Sequence, residues 1–220
     1  MMVEFENSLL CTECGGDCCK KSGCGYLPSD FSSFTKSEIV KALSTGKISI
    51  SSVLQLRKLK DGKLVVDPLL ILRARNRNRD IVDLISLKTP CSMLKEDGCS
   101  YDKEHRPSGG VRFIPMPNRE CYPLDNQEEV LKQWEPYQGL LGRMVKRFSG
   151  MSVDARLRED VTVLFEDVLT ENFTDVHPLE LQEIFHIVPS LIEAYPDEYI
   201  NASSRVKDKK RDREKVMIKS

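Results

Sequence analysis

The sequence predicts an α+β protein in which a small, cysteine-rich mixed part is followed by a mainly helical part. Three observations predict this order. All eight cysteines lie between Cys11 and Cys121. Two apolar runs flank the turn signal Asp61-Gly62, which is typical of paired strands. After residue 125, apolar residues recur at helical spacing.

The first part is expected to contain one helix and a strand region. The stretch "FTKSEIVKALSTGK" predicts a helix that Thr35 caps, with Glu38 three residues later completing a capping box and Gly46 ending the helix. Between residues 54 and 75, the turn signal at Asp61-Gly62 separates two or three short strands.

The second part is expected to consist of helices. The stretches 125–148, 153–169 and 177–195 have the required apolar spacing, and Pro189 is expected to bend or break the last of them. The predicted divisions are therefore a cysteine-cluster part over residues 1–124, a helical part over 125–203, and a basic, flexible tail over 204–220. This tail carries a local charge of +5, which is typical of a solvated terminus.

Composition limits the class of protein. The start "MMVEFENSLL" has neither a basic n-region nor a long apolar h-region, and no run of about 18 apolar residues occurs. We therefore expect a cytoplasmic protein without membrane contact. The 33 basic and 34 acidic residues give a net charge of -1, so the composition provides no global attraction to nucleic acid.

Four thiols are crowded into the stretch "CTECGGDCCK". In a reducing cytosol, close cysteines are more often metal ligands or catalytic thiols than stable disulfides. The spacing Cys11-x2-Cys14 lets two thiolates chelate one ion. Cys18 and Cys19 are adjacent, so both reach a single tetrahedral ion only with difficulty. The doublet therefore favours more than one metal atom.

A second group of cysteines lies between residues 91 and 121. Cys91 and Cys99 flank a turn signal at Asp97-Gly98, and Cys121 ends an extended segment rich in proline and glycine. Such segments bend easily, so they can direct ligands toward one point. The alternative for these three residues is a small buried hydrophobe. Cys24 lies between the two groups, and its role stays open.

These motifs together are similar to the YkgJ-type cysteine-cluster family, a zinc- or iron-chelating domain. The similarity covers residues 11–121 and rests on the run from Cys11 to Cys19, the helix at Phe34 to Ile39, the pattern "PC-x-x-L-x-x-D-G-C-x-Y" from Pro90 to Tyr101, and the pair Arg106-Pro107. The resemblance implies an iron–sulfur or other metal site built from both cysteine groups. Members commonly have a Cys-Arg pair after Arg-Pro; here Val111 precedes Arg112, and Cys121 is the substitute ligand.

The predicted ligands are therefore Cys11, Cys14, Cys18, Cys19, Cys91, Cys99 and Cys121. Arg106 and Arg112 are candidates for offsetting the negative charge of a thiolate site, and a surface salt bridge is their alternative. The surplus of thiols favours an iron–sulfur cluster over zinc as the cofactor. No catalytic residue can be assigned.

Two functions remain open. One is a metal-dependent modifying enzyme in which the helical part shapes a substrate pocket. The other is a non-catalytic binding module whose zinc holds the fold together. A protein partner is compatible with both. The basic run "RARNRNRD" has no interleaved aromatic residues and is interpreted as a solvated strand end.

Overall fold

The computed structural model of the 220-residue chain describes residues 17–21, 23–85, 89–96, 98–100, 106–111, 113–114, 122–123, 126–174, 176 and 178–219. Over these residues the chain is of mixed α+β type, as predicted. The first half contains two short helices, one helix of nine residues and three two-stranded antiparallel sheets. These elements are α1 (Asp17–Lys21), α2 (Lys36–Ser44), β1 (Ile48–Lys58), β2 (Leu64–Ala74), β3 (Leu94–Lys95), β4 (Gly98–Cys99), α3 (Ser108–Val111), β5 (Phe113–Ile114) and β6 (Tyr122–Pro123).

The described residues of the second half form five α-helices of eight to 24 residues. They are α4 (Gln127–Trp134), α5 (Gln138–Ser149), α6 (Val153–Thr170), α7 (Pro178–Ala194) and α8 (Pro196–Lys219). Helix α7 continues through Pro189, so the helix is not broken there. Helix α8 continues through most of the segment predicted as a basic tail. None of the helices, over the residues described, is long and apolar enough to cross a membrane.

Helix α2 forms as its sequence predicts. The Thr35 hydroxyl accepts the backbone N–H of Glu38, and the chain leaves the helix at Gly46 with a φ of 69°. The Glu38 side chain binds Ser32 and Ser33 instead of the backbone of the capping residue. These bonds lower the pKa of Glu38. In place of the predicted capping box, the Glu38 side chain therefore hydrogen-bonds to the two serines that precede the helix.

Strands β1 and β2 form one long hairpin where two or three short strands were expected. The register runs from Ile48 opposite Ala74 to Lys58 opposite Leu64, and each strand has 11 residues. The predicted turn is present, with Gly62 at a φ of 86°, which a residue without a Cβ adopts easily. Pro68 lies within β2 at a position where its missing N–H would face away from β1.

One hydrophobic core joins the hairpin to helices from the second half of the chain. Ile50 and Leu72 of the hairpin belong to the same buried cluster as Trp134, Leu141 and Phe165. Aromatic rings extend this contact toward the start of α2, because the Phe34 ring packs edge-on against Trp134 with ring centres 5.5 Å apart and lies 4.3 Å from the Tyr137 ring. The predicted boundary near residue 124 stays a prediction, since the described residues on its two sides share this core.

The segment after β2 returns along the hairpin and is fixed to α6. It lies parallel to the start of β1 at Val82, which pairs with Ile50. The Asp160 carboxylate, which is buried, accepts the backbone N–H of Leu84 at 2.8 Å and pairs with Arg156 at 2.8 Å. This contact holds the start of the loop that leads to the second group of cysteines.

Candidate metal centre

Three of the predicted ligands belong to one small apolar cluster at one end of the hairpin. Cys91 is buried and packs against Ala74, the last residue of β2. Cys19, from α1, and Cys99, from β4, are half-buried in the same cluster. The three thiols therefore come from two segments that lie far apart in the sequence, and none of them is in a disulfide.

A tight turn and a small hairpin bring Cys91 and Cys99 together. The backbone N–H of Leu94 donates to the Cys91 carbonyl at 3.1 Å, which closes the turn. Strands β3 and β4 then pair Leu94 opposite Cys99. The same register sets Lys95 opposite Gly98, so the chain returns Cys99 to the turn that begins at Cys91. Asp97, the first residue of the predicted turn signal, lies outside the described residues.

The surroundings of the Cys91 sulfur combine burial with several charges and donors. Burial raises the pKa of the Cys91 thiol, and the neighbouring Cys99 raises it further. Backbone hydrogen bonds from Met93 and Leu94 lower it, as does the positive charge of Arg73. The thiol is therefore held protonated mainly by desolvation, while the groups around it are arranged to favour a thiolate.

Backbone hydrogen bonds fix the cysteine loop to the rest of the fold. The Cys91 N–H donates to the Cys19 carbonyl at 2.7 Å, and the Ser92 N–H donates to the Arg75 carbonyl at 2.9 Å. Asn76 forms an antiparallel bridge with Cys91, and its buried side chain accepts the N–H of Gly23 at 2.7 Å. Asn76 thus ties the segment after α1 to the segment that carries Cys91.

Cys24 lies beside this cluster but packs against a different segment. Its carbonyl accepts the Ala74 N–H at 2.8 Å, so the chain around it runs along the outer edge of β2. The Gly109 N–H donates to the Gly25 carbonyl at 3.1 Å. A Cβ built on Gly110 would lie 3.0 Å from the Cys24 sulfur. The thiol therefore packs against Gly110 of the Arg-Pro segment.

The Arg-Pro segment is docked by a carboxylate. Asp30 accepts the Ser108 N–H at 3.0 Å and also binds the Ser108 hydroxyl and the Leu27 N–H. Pro107 is buried and Arg106 is half-buried in this region. Arg106 therefore lies in the segment that contacts Gly25, and its charge-compensating role at the thiols stays a prediction. Arg112 lies outside the described residues.

The remaining predicted ligands lie outside the part of the chain that the structure describes. This holds for Cys11, Cys14 and Cys121, and for the side chain of Cys18, whose backbone belongs to α1. Among the described residues, no group of three or more histidine, cysteine, aspartate or glutamate side chains is placed to hold a metal ion. The donor chemistry of the three clustered thiols nevertheless fits a thiophilic metal, because soft thiolates are the ligands of zinc and of iron–sulfur clusters.

Two residues near the thiols were not singled out by the sequence. Arg73 is half-buried, and its Nε and Nη2 both donate to the Gly23 carbonyl, at 3.2 and 2.8 Å. The interpretation of "RARNRNRD" as a solvated strand end is therefore wrong for Arg73, and also for Arg79, which forms two hydrogen bonds with the buried Asp83. The buried positions 70, 72, 74 and 76 alternate as in a strand. This alternation could have indicated that the side chain of Asn76 is buried.

A groove elsewhere on the molecule bears on the enzyme hypothesis. It has a volume of about 620 Å³ and lies between Leu56 of β1 and one face of α7 that includes His186. Leu56 is eight residues along β1 from Ile48, whose partner is Ala74. At roughly 3.3 Å per residue, the groove is about 26 Å from the cysteine end of the hairpin. It does not adjoin the three thiols.

Comparisons of the chain with protein-family models, with curated proteins and with solved structures gave no match. The resemblance to the cysteine-cluster family therefore stays an expectation drawn from the motifs. Any function must be argued from the geometry of the described residues, and above all from the environment of Cys91.

Proposed function

We propose that this protein binds a metal centre through its clustered cysteines, with an iron–sulfur cluster as the favoured occupant and zinc as the alternative. The observation that carries the proposal is the environment of Cys91, a buried cysteine that packs with Ala74 and is contacted by Cys19 and Cys99. Cys19, Cys91 and Cys99 would be ligands. Cys11, Cys14, Cys18 and Cys121 would complete the set, in keeping with the proposed membership of the YkgJ-type family.

The Cys91 environment favours a metal ligand over a free thiol. The backbone N–H groups of Met93 and Leu94 lower the pKa of the Cys91 thiol, although burial raises it more, so they favour the thiolate over the neutral thiol, which is a weak hydrogen-bond acceptor. A metal-bound thiolate is negatively charged, and charge-assisted hydrogen bonds are roughly twice as strong as neutral ones. Such donors orient the ligand and offset its charge. A bound cation would also remove the penalty that burial imposes on the thiolate.

The geometry of α1 supports a cluster over a single ion. Successive residues of a helix are rotated by about 100° around its axis, because a turn contains 3.6 residues. Cys18 and Cys19 are neighbours on α1, so a centre with several metal atoms would use both more easily than one ion would. When bound, an iron–sulfur cluster supplies one-electron transfer or a Lewis-acidic iron corner.

The alternative, a binding module with a structural zinc, has one observation in its favour. The described groove lies at the opposite end of the hairpin from the thiols, so it would not deliver a substrate to the metal. Arg106 and Arg73 would then serve only to offset the thiolate charge. A cytoplasmic location suits both versions, because clustered thiols stay reduced there.

The test is elemental and spectroscopic analysis of the full chain purified without oxygen from iron-replete cells. We expect brown protein that contains iron and acid-labile sulfide in comparable amounts and that bleaches on reduction. Colourless protein with stoichiometric zinc would select the structural module. Protein that holds neither iron nor zinc, prepared by this route, would refute the proposal.

A matched pair of variants tests the ligand assignment. Cys91→Ser should remove most of the metal, because it replaces a buried sulfur ligand by a weaker one. Cys24→Ser should keep the metal, since the Cys24 thiol packs against Gly110 and not in the Cys91 cluster. Equal metal loss in both variants would show that the two cysteines belong to one site and that the assignment is wrong.

A further inference from the structure

The outer edge of β2 is occupied from Leu70 to Ala74. Pro68 has no N–H to offer, and the Gln138 side-chain amide binds both the N–H and the carbonyl of Leu70, at 2.8 and 2.9 Å. Further along, the Tyr26 N–H donates to the Leu72 carbonyl at 2.9 Å, and the Ala74 N–H donates to the Cys24 carbonyl. No further strand could add to this half of the edge without displacing these partners.

The outer edge of β1 is occupied only at its beginning. The Ile50 N–H donates to the Ile81 carbonyl at 2.7 Å, and the Ile50 carbonyl accepts the Asp83 N–H at 2.9 Å. Since alternate residues of a strand face the same edge, the backbone groups of Leu54, Leu56 and Lys58 face outward as well. In the described part of the chain, these three residues have no backbone partner on that edge.

The groove described above begins at this edge. Leu56 lies near the tip end of β1, where the strand is exposed, and its own exposed fraction is 42%. On the other side, the groove is lined by Gln182, Glu183, His186, Ile187 and Ser190 of α7. An unpaired strand edge beside a partly apolar groove is the arrangement used in strand addition, where the main chain gives affinity and a pocket takes a side chain.

Charge at the hairpin tip indicates the chemistry of the partner. Lys58, Lys60 and Lys63 are exposed, and none forms an ion pair with another described residue. Arg57 is neutralised by Asp67 at 3.0 Å, and one Asp61 carboxylate oxygen accepts the N–H of Lys63. The open edge therefore carries a positive surplus at its tip end.

We propose that the edge of β1 from Leu54 to Lys58 binds an extended, acidic segment of a partner protein by strand addition. The segment pairs with the outward backbone groups and places an aliphatic side chain in the groove beside Leu56. The acidic residues of the segment lie near Lys58 and Lys60, and its uncharged residues lie near Glu183. This interaction does not depend on the proposed metal centre.

The probe is a blocked heptapeptide of three valines flanked on each side by two glutamates, titrated into the ¹⁵N-labelled full chain. We expect amide shift changes centred on Leu54, Leu56 and Lys58 that saturate with peptide and weaken as salt is added. A copy of the peptide N-methylated at alternate residues should lose binding at least tenfold, because its donors to the edge are removed. A counterpart with lysines in place of the glutamates should also bind at least tenfold more weakly.

Two double variants distinguish binding at the β1 edge from non-specific electrostatic attraction between the peptide and the protein. The double variant Lys58→Glu/Lys60→Glu should invert the preference so that the basic peptide binds better. Lys36→Glu/Lys41→Glu, the same change of charge on α2, should leave the preference as it is. Measuring the metal content of each variant separates this result from the proposed function.

Four outcomes would overturn the proposal. The first is an absence of shifts at the β1 amides at millimolar acidic peptide, since main-chain pairing tolerates many sequences. The second is equal binding of the N-methylated peptide. The third is equally tight binding of single-stranded DNA of the same charge at these amides. The fourth is a concentration-dependent dimer in sedimentation that Lys58→Glu abolishes, because the edge would then serve a second copy of the chain.

Discussion

The backbone N–H of Cys91 donates to the carbonyl oxygen of Cys19 at 2.7 Å, which joins the two cysteine groups directly. The bond runs through the main chain, so it persists whatever occupies the sulfurs. It also places α1 beside the turn that begins at Cys91. The cysteine end of the hairpin is thus organised by backbone and polar side-chain contacts, and each of these contacts can be tested separately.

The first of these contacts is the hydrogen bond that the Gly23 N–H donates to the Asn76 side chain. Asn76→Ala should lower the free energy of unfolding by ~1–3 kcal/mol, because the buried Gly23 N–H loses its acceptor. Chemical denaturation of wild type and variant measures the difference. Asn78→Gly is the matched control, since Asn78 is exposed and already has a φ of 61°. An equal loss of unfolding free energy in both variants would mean that the hydrogen bond to Gly23 does not contribute to stability.

Two neighbouring glycines should respond unequally to the same substitution. A Cβ on Gly109 would lie 2.5 Å from the Gly25 backbone oxygen, whereas a Cβ on Gly110 would meet the Cys24 sulfur at 3.0 Å. Backbone gives way less easily than a side chain, so Gly109→Ala should be the more destabilising, by ~1–3 kcal/mol. Thermal unfolding of the two variants measures the order.

The helical Gly139 supplies the control for that series. A Cβ there would find only ordinary van der Waals contact at 3.7 Å, and alanine is the better helix former by ~1 kcal/mol. Gly139→Ala should therefore be neutral or stabilising. If Gly110→Ala proved worse than Gly109→Ala, the docking of the Arg-Pro segment on Gly25 would have to be reconsidered.

The Gln138 side-chain amide occupies the edge of β2 at Leu70. Replacing its nitrogen by an oxygen should disrupt these hydrogen bonds. Gln138→Glu keeps an acceptor for the Leu70 N–H but places a carboxylate against the Leu70 and Trp134 carbonyls, which the amide nitrogen now binds at 2.9 and 3.0 Å. We expect a loss of ~1–3 kcal/mol in chemical denaturation. The control, Gln133→Glu on the exposed side of α4, should stay within about 0.5 kcal/mol.

The sequence predicted the elements that depend on local signals. Thr35 and Gly46 bound α2, Gly62 forms the turn between β1 and β2, and the spacing of apolar residues located α6. The contacts that organise the cysteine end escaped prediction because they are non-local. Gln138 serves as an edge partner for Leu70 across 68 residues, and nothing near either residue indicates it. The closeness of Cys91 to Cys19 likewise follows from the long hairpin, which was expected as shorter strands.

The basic end of α8 is predicted to contribute little to folding. Arg205 and Lys209 pair with Glu166 of α6 at 3.3 and 2.6 Å, and both basic side chains are largely exposed. Exposed ion pairs contribute about 0–1 kcal/mol each. Removing residues 204–220 should therefore lower the free energy of unfolding by about 1 kcal/mol and leave the metal content unchanged. A loss of cooperative unfolding would show that this end of α8 is part of the core.

Asp160 should give the fold a pH dependence of unusual sign. Burial raises the pKa of Asp160 to about 6 from a usual 3.8, and the nearby Asp83 adds to the effect, although the Leu84 N–H and Arg156 oppose it. The Arg156 pKa is also raised, since Asp160 and Asp80 keep that half-buried guanidinium charged against burial. For the carboxylate we expect burial to dominate, because its side chain is only 5% exposed.

A raised pKa in the folded state means that the protonated form is favoured by folding. The stabilising contribution of Asp160 is therefore complete below about pH 4 and is lost as the pH rises through about 6. A difference of about two pH units corresponds to roughly 3 kcal/mol. Asp160→Asn removes the titration while keeping an acceptor for the Leu84 N–H. The stability difference between wild type and variant, measured by urea denaturation from pH 4.5 to 7.5, should thus shift in favour of the variant as the pH rises. A difference independent of pH would contradict the raised pKa, whereas a shift in favour of wild type would mean that the pair with Arg156 outweighs burial.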